Sequence, residues 1–224
     1  MSHQAASRFA GIAGLLSLIA GLFGAYFEAG FPDTRDVGVI TRFVLEHKSM
    51  LISQSLAFSL SPILLLFMIA GLAERLKKPG ASALWANSSF GAAAIWIGLQ
   101  VAAQCIQIGY AMATTPEVPA SLALMSASAA MLTLSGIGGA AFMFAVGMAI
   151  LADRQMPVWF AVLSLVAALA QLLIWMTAAV ESGPFSPVGW TAYILQPFLL
   201  VWLLPAALLL LIGRRANSDE GKVP

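Results

Sequence analysis

The chain has 224 residues, 60% of them hydrophobic and 9% charged, with a formal net charge of +1. Soluble domains carry about a quarter of their residues as charges, so this composition excludes one and calls for lipid around the chain. A mean hydropathy of +0.91 points the same way.

Taken in order, the apolar runs cover about 8–29, 50–73, 83–113, 120–151, 157–180 and 188–212. Each is long enough for a helix to cross roughly 30 Å of hydrocarbon. The first run exceeds a signal-peptide core and has no convincing cleavage site, so it reads as a retained helix. After it comes a loop in which Asp33-Thr34 can cap a helix and Val37, Ile40 and Val44 recur at helical spacing. Lys77-Lys78-Pro79-Gly80, Thr115-Pro116-Glu117 with Pro119, Asp153-Arg154 before Pro157, and Gly183-Pro184 with Pro187 mark the later breaks. The pattern predicts an all-α fold, a polytopic transmembrane bundle of six helices with a short amphipathic helix in the first outer loop. It forms one domain over 1–215 and leaves a polar tail over 216–224.

Orientation follows from the Lys and Arg residues. Eight lie at the N-terminus, the second and fourth loops and the C-terminus (Arg8, Arg75, Lys77, Lys78, Arg154, Arg214, Arg215, Lys222), against three in the first loop (Arg35, Arg42, Lys48). The positive-inside rule puts both termini in the cytoplasm of a multi-pass protein. Small residues four apart suggest where helices touch: Ser17, Gly21 and Ala25, and Ala20 and Gly24, in the first span, then Ser135 and Gly139, and Gly136 and Ala140, in the fourth.

Much intramembrane chemistry is excluded by missing side chains. Lys48, Lys77, Lys78 and Lys222 all lie outside the spans, which removes a retinal Schiff base. The two histidines, His3 and His47, lie in a terminus and a loop, which removes bis-histidine haem ligation. Cys105 is the sole cysteine, so neither an intrachain disulfide nor a cysteine metal site can form. Hydrolase, metalloprotease and nucleotide-binding motifs are missing too, and the sequence calls for no cofactor and no metal.

The polarity left inside the spans is mainly glutamine. Gln100, Gln104 and Gln107 share one side of the third span, and Trp96 extends that stripe inward. Gln54, Gln171 and Gln196 occupy the second, fifth and sixth spans. Gln54, Gln104, Gln107 and Gln196 fall in the outer half, with Glu28, Glu181 and Tyr110 just beyond them. Amides facing lipid would be left unsatisfied, so the groups are expected to face one another. Two readings follow: interhelical bonds that hold the bundle together, or an outward-opening amide-lined pocket for a small polar or amphipathic ligand formed by Gln54, Trp96, Gln100, Gln104, Gln107, Gln171 and Gln196, with Glu28 and Glu181 at its mouth.

A Gly-rich first helix ending at Glu28, an outer loop, Leu45-Glu46-His47-Lys48 leading into the second helix, and Glu74-Arg75-Leu76 leaving it follow one another in the sequence. In this order of features the chain resembles a bacterial six-helix membrane family known as domain of unknown function 4386. The resemblance implies six helices, a bacterial cytoplasmic membrane and no established activity, and it carries over no catalytic residue. The expected partners are the lipid bilayer and a small-molecule ligand, with nothing pointing to nucleic acid. An amide stripe facing outward would instead imply a homo-oligomer. Binding or transport is the first expectation, a non-catalytic structural or regulatory membrane subunit the second, and an intramembrane enzyme the third.

Overall fold

The computed structural model describes residues 3–27, 32, 34, 36–180, 183, 185, 194, 195 and 197–212. Its helices are α1 (His3–Tyr26), α2 (Val37–Glu46), α3 (Lys48–Leu76), α4 (Ala81–Ala113), α5 (Leu122–Asp153), α6 (Val158–Met176) and α7 (Pro197–Ile212), and a 3₁₀ turn, Thr177–Ala179, extends α6. No strand occurs among the described residues. Five helices (α1, α3, α4, α5 and α6 with its turn) are long and apolar enough to cross a membrane, and α7 contributes a shorter apolar helix over Phe198–Ile212. The fold is thus an all-helical bundle of a kind that fits a membrane. The helices begin and end within a few residues of the expected runs, apart from the last, whose stretch 188–193 lies outside the described residues, as does the tail 216–224.

The long helices pack in chain order. α1 lies on α3, α3 on α4, α4 on α5 and α5 on α6, while α7 returns to α1 and touches α6, closing a ring. Large apolar side chains fill its interior: Leu65, Met68, Ile69, Leu72, Phe142, Met143, Phe160, Trp202 and Leu210 are all buried. The opposite faces of the helices expose Ile12, Ile19, Leu60, Ile95, Val162 and Leu169, as a surface solvated by acyl chains would.

Close approach at glycine decides how α5 meets its two neighbours. An added methyl at Gly136 would lie 2.9 Å from the Gln171 carbonyl oxygen of α6, and one at Gly138 would lie 3.0 Å from the Trp96 backbone nitrogen of α4. α5 is therefore pressed against both neighbours, backbone to backbone, as the small residues of the fourth span suggested. On α1, Gly21 faces Ser61 of α3.

Serine takes part in most of the side-chain hydrogen bonds between helices among the described residues. Ser17 Oγ donates to the Ser61 carbonyl at 2.8 Å and Ser61 Oγ donates back to the Ser17 carbonyl at 2.9 Å, tying α1 to α3 near mid-helix. Ser128 Oγ donates to the Ala103 carbonyl at 2.9 Å, joining α5 to α4. Trp202 Nε1 donates to Ser164 Oγ at 2.8 Å, joining α7 to α6. At the last turn of α7, where carbonyls lack intrahelical partners, Leu210 O accepts from Ser7 and Leu209 O from Arg75.

The G136A variant is expected to lose about 1–3 kcal/mol, because the contacted atoms are backbone and cannot move aside. A methyl at Gly98 meets nothing within 4 Å. G98A is therefore expected to be neutral or to gain up to ~1 kcal/mol from helix propensity. Thermal unfolding of both variants in one detergent checks the contrast.

Candidate functional site

The site lies at the end of the bundle that carries α2. The carboxylate Asp36 Oδ1 accepts from Gly38 N at 2.7 Å and Val39 N at 3.2 Å and so starts this helix. Thr34, expected with Asp33 to cap it, instead accepts from Asp36 N at 3.1 Å. Val37 is the first helical residue, so the residue placed to cap is Asp36.

The buried stripe of α2, Ile40 and Val44, packs against Leu51 of α3, Tyr110 and Ala111 of α4 and Ala120 of the following loop, with Ile52, Ile106, Leu122 and Met125 around them. Thr41 Oγ1 accepts the Ala120 N–H at 3.0 Å while donating to Val37 O at 2.7 Å. Lys48 Nζ donates to the Met112 and Thr114 carbonyls at 3.1 and 3.2 Å, capping the C-terminus of α4. α2 is thus an apolar seal across the ends of α3, α4 and α5. A single residue, His47, separates it from α3, with its ring stacked on Phe43 at 4.5 Å.

The glutamines lie directly beneath the seal. Gln54 and Ser55 follow Leu51 by one turn, and Gln107 precedes Tyr110 by one, so both sets continue the faces that form the seal, about 5 Å deeper. The Lys48 bonds to the end of α4 put Gln54 and Gln107 at one level, and the Ser128–Ala103 bond brings α5 alongside Gln104. Gln54, Gln104 and Gln107 are 7%, 4% and 5% exposed. In this layer Gln54 Oε1, Ser55 Oγ, Gln104 Oε1 and Gln107 Nε2 are buried without a hydrogen-bond partner.

Gln100 differs from its neighbours. Trp96 and Gln104 lie four residues away on either side, and Ala93 and Gln107 seven, and all four are buried. Gln100, in the middle of that inward face, is only half-buried, so accessible space adjoins it.

Below Gln100 the interior closes on aromatic rings. Trp96 stacks on Phe142 at 5.9 Å, Phe142 meets Trp202 edge-on at 5.3 Å, and Trp202 stacks on Phe160 at 5.6 Å. Trp96 Nε1 has no partner. A methyl at Gly139 would lie 3.1 Å from Gln171 Oε1 and 3.3 Å from Trp96 Nε1, so these two polar atoms flank the same glycine. Gln171 is thereby placed beside the aromatic floor rather than in the layer under α2.

Of the residues expected to line a pocket, Gln54, Gln104 and Gln107 fall within about one helical turn of one another in depth, Gln100 and Trp96 continue inward from them, and Gln171 sits deeper. Gln196, Glu28 and Glu181 lie outside the described residues. Sequence reasoning overlooked Ser55, whose adjacency to Gln54 was the available clue. A separate cavity of about 270 Å³, lined by Leu173, Met176, Thr177, Val180 and Phe185, lies at the C-terminal end of α6 and includes none of the glutamines. No protein-family model, curated protein or solved structure matches the chain.

The hydrogen bonds between helices come from serine, tryptophan, arginine and lysine, and none comes from the amides of this layer. Leucine at position 54 or 107 would therefore remove no bond. Q54L and Q107L are each expected to leave stability unchanged or raise it by up to ~1 kcal/mol, since an unpaired buried polar atom is lost. Interhelical amide bonds would instead cost about 0.6 kcal/mol each. Unfolding of both variants in detergent separates these outcomes.

Proposed function

We propose that this chain is a six-span protein of a bacterial cytoplasmic membrane, similar to the six-helix family named above, that binds or transports a small polar or amphipathic molecule. Both termini face the cytoplasm, and α2 lies on the outer surface above an amide-lined pocket. The carrying observation is that Gln54, Gln104 and Gln107, each more than nine-tenths buried, present amide atoms that bond to nothing in the protein. In a bundle whose helices are already tied by serine, these atoms add no hydrogen bond, and leaving them unsatisfied costs on the order of 1–3 kcal/mol each. A bound molecule with complementary groups removes that cost.

The second reading is a non-catalytic structural or regulatory membrane subunit. The depth of the amides beneath the α2 seal favours it, since three buried side chains close in depth can also stiffen a scaffold.

Labelling of single cysteines in intact cells decides between the two, after the exposed Cys105 is replaced by serine. Glu117→Cys, on the same end as α2, should react with a membrane-impermeant thiol reagent, and Lys78→Cys at the other end should not. Gln104→Cys should react from outside if the pocket exists. Complete protection of that cysteine, in protein labelled normally at position 117, supports the structural subunit, and labelling at position 78 overturns the orientation.

A further inference from the structure

The chemistry of the layer narrows what it can hold. Its polar side chains among the described residues are Gln54, Ser55, Gln104, Gln107 and Ser128, with Gln100 beneath, and every one of them is uncharged. Among the described residues the charged groups at this end stand above the seal. Asp36, Arg42, Glu46 and Glu117 are exposed, and Lys48 is committed to the carbonyls that end α4. Below, the floor consists of Trp96, Phe142, Trp202 and Phe160, all buried. An ion brought into this layer would surrender its water and meet no counter-charge among the described residues, a loss that a few amide dipoles do not offset.

The unpartnered atoms also specify a pattern. Gln54 Oε1 and Gln104 Oε1 call for donors, Gln107 Nε2 calls for an acceptor, and Ser55 Oγ can serve either role. Exchanging oxygen and nitrogen within any amide alters which atom is which but leaves a mixed set, because each amide carries both kinds. A hydrocarbon satisfies none of these groups. An acid or an amine in its charged form satisfies some of them at the expense of a buried unpaired charge.

We infer that the amide layer is selective for uncharged molecules that carry hydrogen-bond donors and acceptors together, the class of primary amides, ureas and short polyols, and that it rejects cations and anions of the same size. This rests on the pocket reading above and adds charge discrimination to it. Selectivity arises because an uncharged solute can exchange its water for Gln54, Ser55, Gln104 and Gln107 nearly bond for bond, whereas an ion cannot. The seal formed by Ile40, Val44, Leu51 and Tyr110 strengthens the effect, since any solute must pass an apolar layer to reach the amides.

Thiol reagents built on one ethyl methanethiosulfonate scaffold, with neutral, cationic and anionic head groups, test this without a known ligand. The purified full-length protein in detergent, with Cys105→Ser and Gln104→Cys, is treated with hydroxyethyl, trimethylammonioethyl and sulfonatoethyl methanethiosulfonates. Each rate is divided by that of the same reagent at Glu117→Cys in the same background. The neutral reagent is expected to be at least ~100-fold faster on this relative scale than either ion, the consequence of taking an unpaired charge out of water. Ser55→Cys, a nearly isosteric change in the same layer, repeats the measurement where Gln104→Cys perturbs folding. If either ion reacts as fast as the neutral reagent, the charge selectivity is overturned and the pocket stands. If all three fail at both positions while Glu117→Cys reacts, the pocket reading falls and the selectivity falls with it.

Discussion

A polar atom surrounded by acyl chains has no water to return to, so each one buried in a membrane bundle must find a partner or carry a penalty. That constraint arranges the interior here. Hydroxyls of Ser17, Ser61, Ser128 and Ser164 are each spent on a neighbouring helix or on a tryptophan, and side chains of Ser7, Arg75 and Lys48 occupy carbonyls near helix ends. Against that thrift the exceptions among the described residues are Trp96 Nε1 in the aromatic floor, Asp153 Oδ2 and Gln155 Nε2 between α5 and α6, and one larger group. The unpartnered atoms of Gln54, Ser55, Gln104 and Gln107 sit together under α2, between an apolar seal and an aromatic floor.

The seal and floor depend on packing that glycine makes available. With hydrogen at Gly136, Gly138 and Gly139, α5 comes close enough to α4 and α6 for Trp96 to lie over Phe142 and for Gln171 to reach the same glycine from the other side. Lipid offers no hydrophobic drive for helices to associate, so this contact area and the serine bonds carry the association. A larger residue at Gly138 would push against the Trp96 backbone and displace the ring that closes the interior below Gln100. The glycine seams are in that sense part of the site, although none of them touches the amide layer.

Much of this was legible in the sequence because lipid leaves few alternatives. Runs of 20 or more apolar residues become helices, and the breaks at Lys77-Lys78-Pro79-Gly80 and at Thr115-Pro116 fall between them. The three glutamines of α4 could be put on one face by spacing alone, and Gln54 at their level by depth. The start of α2 at Val37, capped by Asp36, was not legible, because Asp33, Thr34 and Asp36 all have capping side chains and only the backbone decides among them. Depth had already set Gln171 apart from Gln54, Gln104 and Gln107, and the structure places it beside Trp96. Spacing was silent on one further point. Gln100 carries the same side chain as Gln104 and Gln107, and its partial exposure follows from how α3, α4 and α5 meet, which no single helix encodes.

A glutamine layer that serves a solute is held open for it and does not bond to itself. An experimental structure in a lipid nanodisc, resolved well enough to show ordered small molecules, tests this most directly. The prediction is non-protein density within about 2.7–3.2 Å of Gln54 Oε1, Gln104 Oε1 or Gln107 Nε2. Amides of Gln54, Gln104 and Gln107 bonded directly to one another, with side chains filling the space beside Gln100, would contradict it.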